Sequence, residues 1–188
     1  LRDQLGAIYT ELMQPFVQDP WAVRNAYIEI ILDRRKDAVK KKLDEWTGRD
    51  LSDAQISFLL KLLEMQRNAQ LMYTSCGWYF NDISGIETIQ ILQYAGRAMQ
   101  LCRDVKGIDL EPEFRDRLEK ASSLDETLGN GKIIYDQYVK PAMIDLTRVG
   151  AHLALSSIFQ SGDLVGAEIY TYSAAIHSFQ RLEAGIET

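Results

Sequence analysis

Three consecutive aromatic residues, Trp78, Tyr79 and Phe80, are followed at once by an amide and a carboxylate, Asn81 and Asp82. Aromatic faces pack against the C–H faces of a pyranose, and its hydroxyls call for bidentate donors and acceptors beside the rings. The residue types therefore suit a sugar subsite, with Trp78, Tyr79, Asn81 and Asp82 as its contacts. The same pattern has a plainer reading: the three rings are core anchors at a helix turn, and Asp82 only closes a turn before Ser84. A second polar set, Asp145, Arg148, His152 and Ser156, recurs at spacings that share one helix face. Either it faces a ligand cleft, with Arg148 and His152 as substrate contacts, or it is a solvated face.

Neither set amounts to a catalytic centre. A histidine such as His152 can do acid–base work near neutral pH, with Arg148 or Asp145 beside it. No nucleophile or second catalytic group stands at a supporting spacing, and G-x-S-x-G, P-loop and dinucleotide motifs are missing from the sequence. A metal site built from Cys76, Cys102, His152 and His177 lacks any C-x-x-C or H-x-x-x-H spacing. We expect no catalytic residue, no metal and no cofactor.

The elements that must position these residues are helices. Asp3 to Met13 has a helical pattern that Pro15 stops, and Asp19-Pro20 supplies a cap and a first helical position for a second helix carrying Val23, Tyr27, Ile30 and Ile31. The basic run Arg34–Lys42 is interleaved with Asp33, Asp37, Asp44 and Glu45, which reads as a salt-bridged solvated face. Ser52 and Gln55 form a capping box. Behind it Phe58, Leu62, Met65, Ala69, Met72 and Cys76 make one apolar stripe, widened by Ile56, Leu59, Leu60 and Leu63. A helix with so wide an apolar face is central.

The pattern fails from Gly77 to Asp82. Ser84 and Glu87 then match a second capping box, ahead of a helix that turns Ile89, Leu92, Met99 and Cys102 inward and stops at Gly107. Shorter helices are expected from Glu111 to about Ala121 and from Ile133 to Val139, with a loop between them, and another helix starts at Pro141. Ala167 to Ala174 alternates with Tyr170 and Tyr172 on one side, as a β-strand would. The expected fold is mainly α, a bundle of about six to eight helices, ending in a C-terminal strand that begins a following β segment over 167–188.

Composition agrees. The sequence has 188 residues, 46% of them hydrophobic and 26% charged, which is a globular balance and one helical domain's worth of chain. A net charge of −6 repels polyanions, so we expect neither nucleic acid nor an anionic membrane as partner. No apolar run approaches the ~20 residues that a bilayer needs. Cys76 and Cys102 sit in apolar helical patterns and read as buried free thiols in a reducing, cytoplasmic compartment. The chain opens on Leu1 rather than Met, with no apolar leader behind it, and reads as a segment of a larger protein.

Two stretches carry a resemblance. Leu71-Met72-Tyr73-Thr74-Ser75-Cys76-Gly77-Trp78-Tyr79-Phe80-Asn81-Asp82-Ile83-Ser84-Gly85-Ile86-Glu87 and Arg148-Val149-Gly150-Ala151-His152-Leu153-Ala154-Leu155-Ser156-Ser157-Ile158-Phe159 both resemble the bacterial domain of unknown function numbered 3536. The resemblance runs from about Ser52 to Arg181; the residues before Ser52 carry no motif of it. That domain follows the catalytic barrel in proteins similar to glycoside hydrolase family 57, retaining enzymes that act on α-glucans as amylases, branching enzymes and related transferases. The resemblance implies a helical region that packs on a barrel of the same parent chain and completes its α-glucan cleft. It also implies an aromatic–acidic sugar motif, which Trp78, Asn81 and Asp82 match with the aromatic residues ahead of the acid.

Retaining hydrolysis needs two carboxyl groups about 5–5.5 Å apart. In the family both come from the barrel, so Asp82 would orient a sugar rather than protonate it. The alternative is a helical interaction or scaffold domain with no ligand of its own, marked by an exposed apolar docking patch. The oligomeric state is left open by the sequence.

Overall fold

The computed structural model describes residues 1–143 and residue 151. Those residues form a helical bundle: α1 (Arg2–Met13), α2 (Pro20–Ala26), α3 (Ile28–Leu32), α4 (Lys36–Thr47), α5 (Asp53–Leu71), α6 (Cys76–Tyr79), α7 (Ile86–Lys106), α8 (Glu111–Leu118) and α9 (Gly131–Ile134). A π-helical turn, Tyr135–Val139, and a 3-10 turn, Lys140–Ala142, follow. Among the described residues there is no β-sheet, only an isolated antiparallel bridge between Ser122 and Asn130. None of the described helices is long and apolar enough to cross a membrane. The expected strand over Ala167–Ala174 and the polar set of Asp145, Arg148, His152 and Ser156 lie outside the described residues.

Helix α5 is the axis. Its capping box forms as the sequence implies: the Ser52 hydroxyl accepts from Gln55 N at 3.3 Å, and Gln55 Oε1 accepts from Ser52 N at 3.0 Å. Ile56, Leu59, Leu60, Leu62, Leu63, Met65 and Ala69 are all buried, whereas Phe58 is only partly so. The helix packs chiefly against α7 and α1. The main core joins these residues to Leu5, Tyr9 and Met13 of α1, Val39 and Leu43 of α4, and Ala98, Leu101 and Cys102 of α7. A smaller cluster of Leu92, Met99, Tyr135 and Val139 covers the other side of α7.

Several local expectations hold. Asp19 caps α2 by accepting from Trp21 N and Ala22 N, with Pro20 at the first helical position. Gly107 closes α7 at φ 75°, a left-handed value that a β-carbon would strain. Lys40 bridges Asp44 and Asp50, and Lys42 bridges Glu29, so much of the basic run is salt-bridged at the surface.

Other local expectations are corrected. The Ser84–Glu87 capping box does not form: Gly85 is the N-cap of α7 and no side chain caps it. Ser84 N is instead drawn to Asp82 Oδ1 at 3.0 Å. Ile89 is half-buried, and the inward positions of α7 are Ile91, Leu92, Ala95, Ala98, Met99, Leu101 and Cys102. Helix α8 ends at Leu118 rather than near Ala121. The helix begun at Pro20 breaks at Tyr27, where the backbone tightens: Tyr27 N donates to Arg24 O, and Ile30 N to Tyr27 O.

The cause of that break is long-range. Tyr27 is buried and its hydroxyl donates to Glu64 Oε1 at 2.7 Å. Glu64, at 0% exposure in the middle of α5, also pairs with Arg67 at 3.2 Å and Arg34 at 3.5 Å. Arg34 is thus an internal partner rather than part of the solvated run. Burial, with Glu64 adding to it, pushes the Tyr27 phenol well above its ordinary value, so it remains a donor at any working pH.

A buried carboxylate removed from its partners leaves charge uncompensated. Glu64→Ala should therefore cost about 3–5 kcal/mol. Tyr27→Phe, which removes one donor to a charged acceptor, should cost about 1.5–3 kcal/mol. Urea unfolding of the chain and both variants checks this; a loss below 1 kcal/mol in Glu64→Ala, on the order of a surface substitution, would refute it.

Candidate functional site

The aromatic segment lies where α5 ends and α7 begins. Helix α5 stops at Leu71, one turn before the apolar stripe runs out, because Leu71 O is taken by Thr74 N at 3.0 Å and Thr74 Oγ1 at 2.6 Å. Cys76 is therefore exposed rather than the buried thiol expected from the stripe; Cys102 is buried as expected. One short turn, α6, then lies against α7. Gly77 makes that approach feasible: a β-carbon there would sit 2.6 Å from Ile91 Cγ2 and 3.0 Å from Glu87 O. Thr88 Oγ1 fixes the segment by donating to Gly77 O at 3.2 Å and Asp82 O at 3.3 Å.

With the backbone of α6 pressed inward, its rings point out. Trp78 is 65% exposed, Tyr79 82% and Phe80 55%. This removes the core-anchor reading of the three rings. Their order is local: Trp78 Nε1 donates to Met72 O at 3.0 Å, and its indole stacks on Tyr73 with centroids 5.9 Å apart and planes 9° from parallel. The Arg2 guanidinium lies 5.4 Å over the other partner of that stack, Tyr73. Tyr79 and Phe80 meet edge to face at 5.7 Å. Two aliphatic side chains, Ile86 at the start of α7 and Leu124 in the loop after α8, are likewise exposed, at 78% and 75%.

Asp82 is engaged with protein. Its Oδ1 accepts from Ser84 N at 3.0 Å and Ser123 Oγ at 3.0 Å, and its Oδ2 accepts from Leu124 N at 3.1 Å. The carboxylate therefore ties the segment after α6 to the loop after α8. The Ser84 amide, then the Ser123 hydroxyl and the Leu124 amide, hold it below the ordinary aspartate value of 3.8. Asn81 is exposed beside the rings. Trp78, Tyr79, Asn81 and Asp82 are thus together by virtue of sequence adjacency, while Arg148 and His152 lie outside the described residues.

The family model for DUF3536, described as a domain of unknown function, matches residues 1–188. The chain belongs to that family. The match reaches back over the residues before Ser52, in which the sequence alone showed no motif of it. No curated protein and no solved structure matches the chain.

Reading the segment by residue type located the rings of this DUF3536 chain but not their neighbours. Tyr73 and Ile86 stand in the same quoted stretch as the rings, whereas Arg2 and Leu124 come from distant sequence. The signal for Tyr73 was its five-residue spacing from Trp78, readable once the helix was known to stop between them.

Two outcomes follow. Trp78 is exposed, so Trp78→Ala should cost the stacked pair, about 0.5–1.5 kcal/mol, and the bond to Met72 O, about 0.5–1.5 kcal/mol, together below the ~3–5 kcal/mol for a buried ring; chemical denaturation distinguishes the two. Asp82, with its folded pKa depressed, contributes stability that is present above the unfolded value and lost as pH falls through the folded one. Hydrogen exchange at Ser84 N and Leu124 N should therefore speed up in Asp82→Ala at neutral pH. The gap from the parent chain should close as the pH is lowered below the ordinary aspartate value of 3.8.

Proposed function

We propose that this DUF3536 chain is an accessory helical domain of a carbohydrate-active protein resembling glycoside hydrolase family 57. It packs on the catalytic barrel of the same parent chain and lends its aromatic end to the α-glucan cleft. The observation that carries the reading is the exposure of Trp78, Tyr79 and Phe80 on a short turn clamped by Gly77 and Thr88. Exposed rings with fixed orientation offer flat apolar faces to pyranose rings at small entropic cost. Asn81 supplies an amide beside them, and Asp82 holds the loop that carries them; Arg148 and His152 are further candidate contacts. The chemistry itself, hydrolysis or glucanosyl transfer, is assigned to the barrel, and the chain is not catalytic alone. A cytoplasmic setting fits its two free cysteines, Cys76 and Cys102.

A second reading is an interaction domain with no ligand of its own. The exposed aliphatic residues Ile86 and Leu124 favour it, since sugars gain less from aliphatic surface than a protein partner does. The experiment that separates the two is a tryptophan-fluorescence titration of the chain with maltoheptaose, beside Trp78→Ala. The glucan reading expects a saturable change that disappears in the variant. No change in a folded chain, or the same change with and without Trp78, favours the docking reading.

A further inference from the structure

A separate cavity of about 460 Å³ lies between α1, α2 and α5. That is within the range of small-molecule sites, roughly 300–1,000 Å³. Arg2, Asp3, Thr10, Trp21, Arg24, Gln66 and Gln70 supply its charged, polar and aromatic lining. We infer that this cavity binds a small hydroxylated carboxylate, a sugar acid in chemical class.

Charge comes first. Arg2 is matched by Asp3 at 2.8 Å, whereas no carboxylate among the described residues lies within the 4.0 Å of an ion pair to Arg24. Arg24 Nε is buried and has no acceptor. A buried donor of that kind asks for a partner, because water has been removed and nothing replaces it. Asp19 caps α2 through Oδ1, which accepts from Trp21 N and Ala22 N, and it forms no ion pair with Arg24. The cavity therefore presents one unmatched positive charge.

The guanidinium is also held in place. It stacks 5.1 Å from the Trp21 ring centroid, and Trp21 is itself wedged against Tyr9 at 5.5 Å. A planar fork fixed in this way suits a carboxylate, which it can bind through two parallel hydrogen bonds.

Hydrogen-bond acceptors stand beside this cation. Gln66 is 4% exposed, and its Nε2 donates to Leu5 O at 2.9 Å. That bond fixes the amide and leaves Oε1, which no described donor reaches, as an acceptor. Thr10 Oγ1 donates to Gly6 O at 2.9 Å and keeps its lone pairs. Acceptors beside a single cation fit a ligand with one negative charge and several hydroxyl donors. A neutral sugar leaves Arg24 unmatched, and inorganic phosphate brings excess charge and few donors for Gln66 and Thr10. The inference does not depend on the aromatic end, so the two readings fail separately.

Isothermal titration calorimetry of the chain with D-glucuronate tests it, beside glucose and inorganic phosphate. Expected is saturable binding of glucuronate, weakened about tenfold or more in Arg24→Gln, with none for glucose and weaker binding for phosphate. Ala7 is an exposed residue at the cavity, so Ala7→Phe should fold normally and block binding with the charge intact. Thermal melts confirm that each variant is folded. No binding of glucuronate, phosphate bound as tightly, or glucuronate bound equally by folded Arg24→Gln or Ala7→Phe overturns the inference.

Discussion

The fold turns on one buried carboxylate. Glu64 stands fully buried on the face of α5 that would otherwise be continuous hydrocarbon. An isolated ionised group there would be intolerable, so the chain must bring partners to it. Tyr27 arrives from the α2–α3 junction, Arg34 from the segment before α4, and Arg67 and Asn68 from the next turn of α5 itself. These partners fix where the first half of the chain lies on the axis. Apolar contacts alone would allow α2 and α3 to slide or to run on as one helix; a directional bond from Tyr27 does not. Polar groups in a core specify arrangement more than they add stability, and here they specify the register of α2, α3 and α4 against α5.

What the sequence disclosed follows the range of the interaction. The caps of α2 and α5 and the glycine stop of α7 were legible because each is decided within four residues: Asp19 with Trp21, Ser52 with Gln55, Arg103 with Gly107. The wide stripe of α5 was legible from helical periodicity. The break at Tyr27 was not, since its cause is a bond to a residue 37 positions away. Likewise Ser84 reads as a capping residue by local pattern, but Asp82 holds the Ser84 amide and is itself held by Ser123, 41 positions on. The exposure of Cys76 depended on where α5 ended, and one threonine hydroxyl decided that. Glu64, Gln66 and Asn68, three polar residues interleaved with the apolar Leu62, Leu63, Met65 and Ala69, were the sequence signal for the polar core.

The two candidate regions are built by opposite means. The cavity beside α1 has its charged group fixed by packing, an arginine stacked on a ring. The aromatic end has its apolar groups fixed by hydrogen bonds. Arg2 borders both, reaching over Tyr73 while lining the cavity. Both are anchored on the C-terminal half of α5, the part of the bundle whose position the Glu64 contacts determine.

The aromatic end is better understood as presented surface than as incomplete core. A chain that merely failed to bury Trp78, Tyr79 and Phe80 would leave them on loose backbone, free to collapse onto the bundle and recover the hydrophobic free energy. The opposite is seen. Gly77 is pressed to contact distance of Ile91, Thr88 donates to two carbonyls of the segment, and Asp82 binds a second loop that carries the exposed Leu124. Each contact orders backbone while leaving a side chain in water, which costs conformational entropy with no apolar burial in return. Such an arrangement is stable only because α5 and α7 supply the surplus.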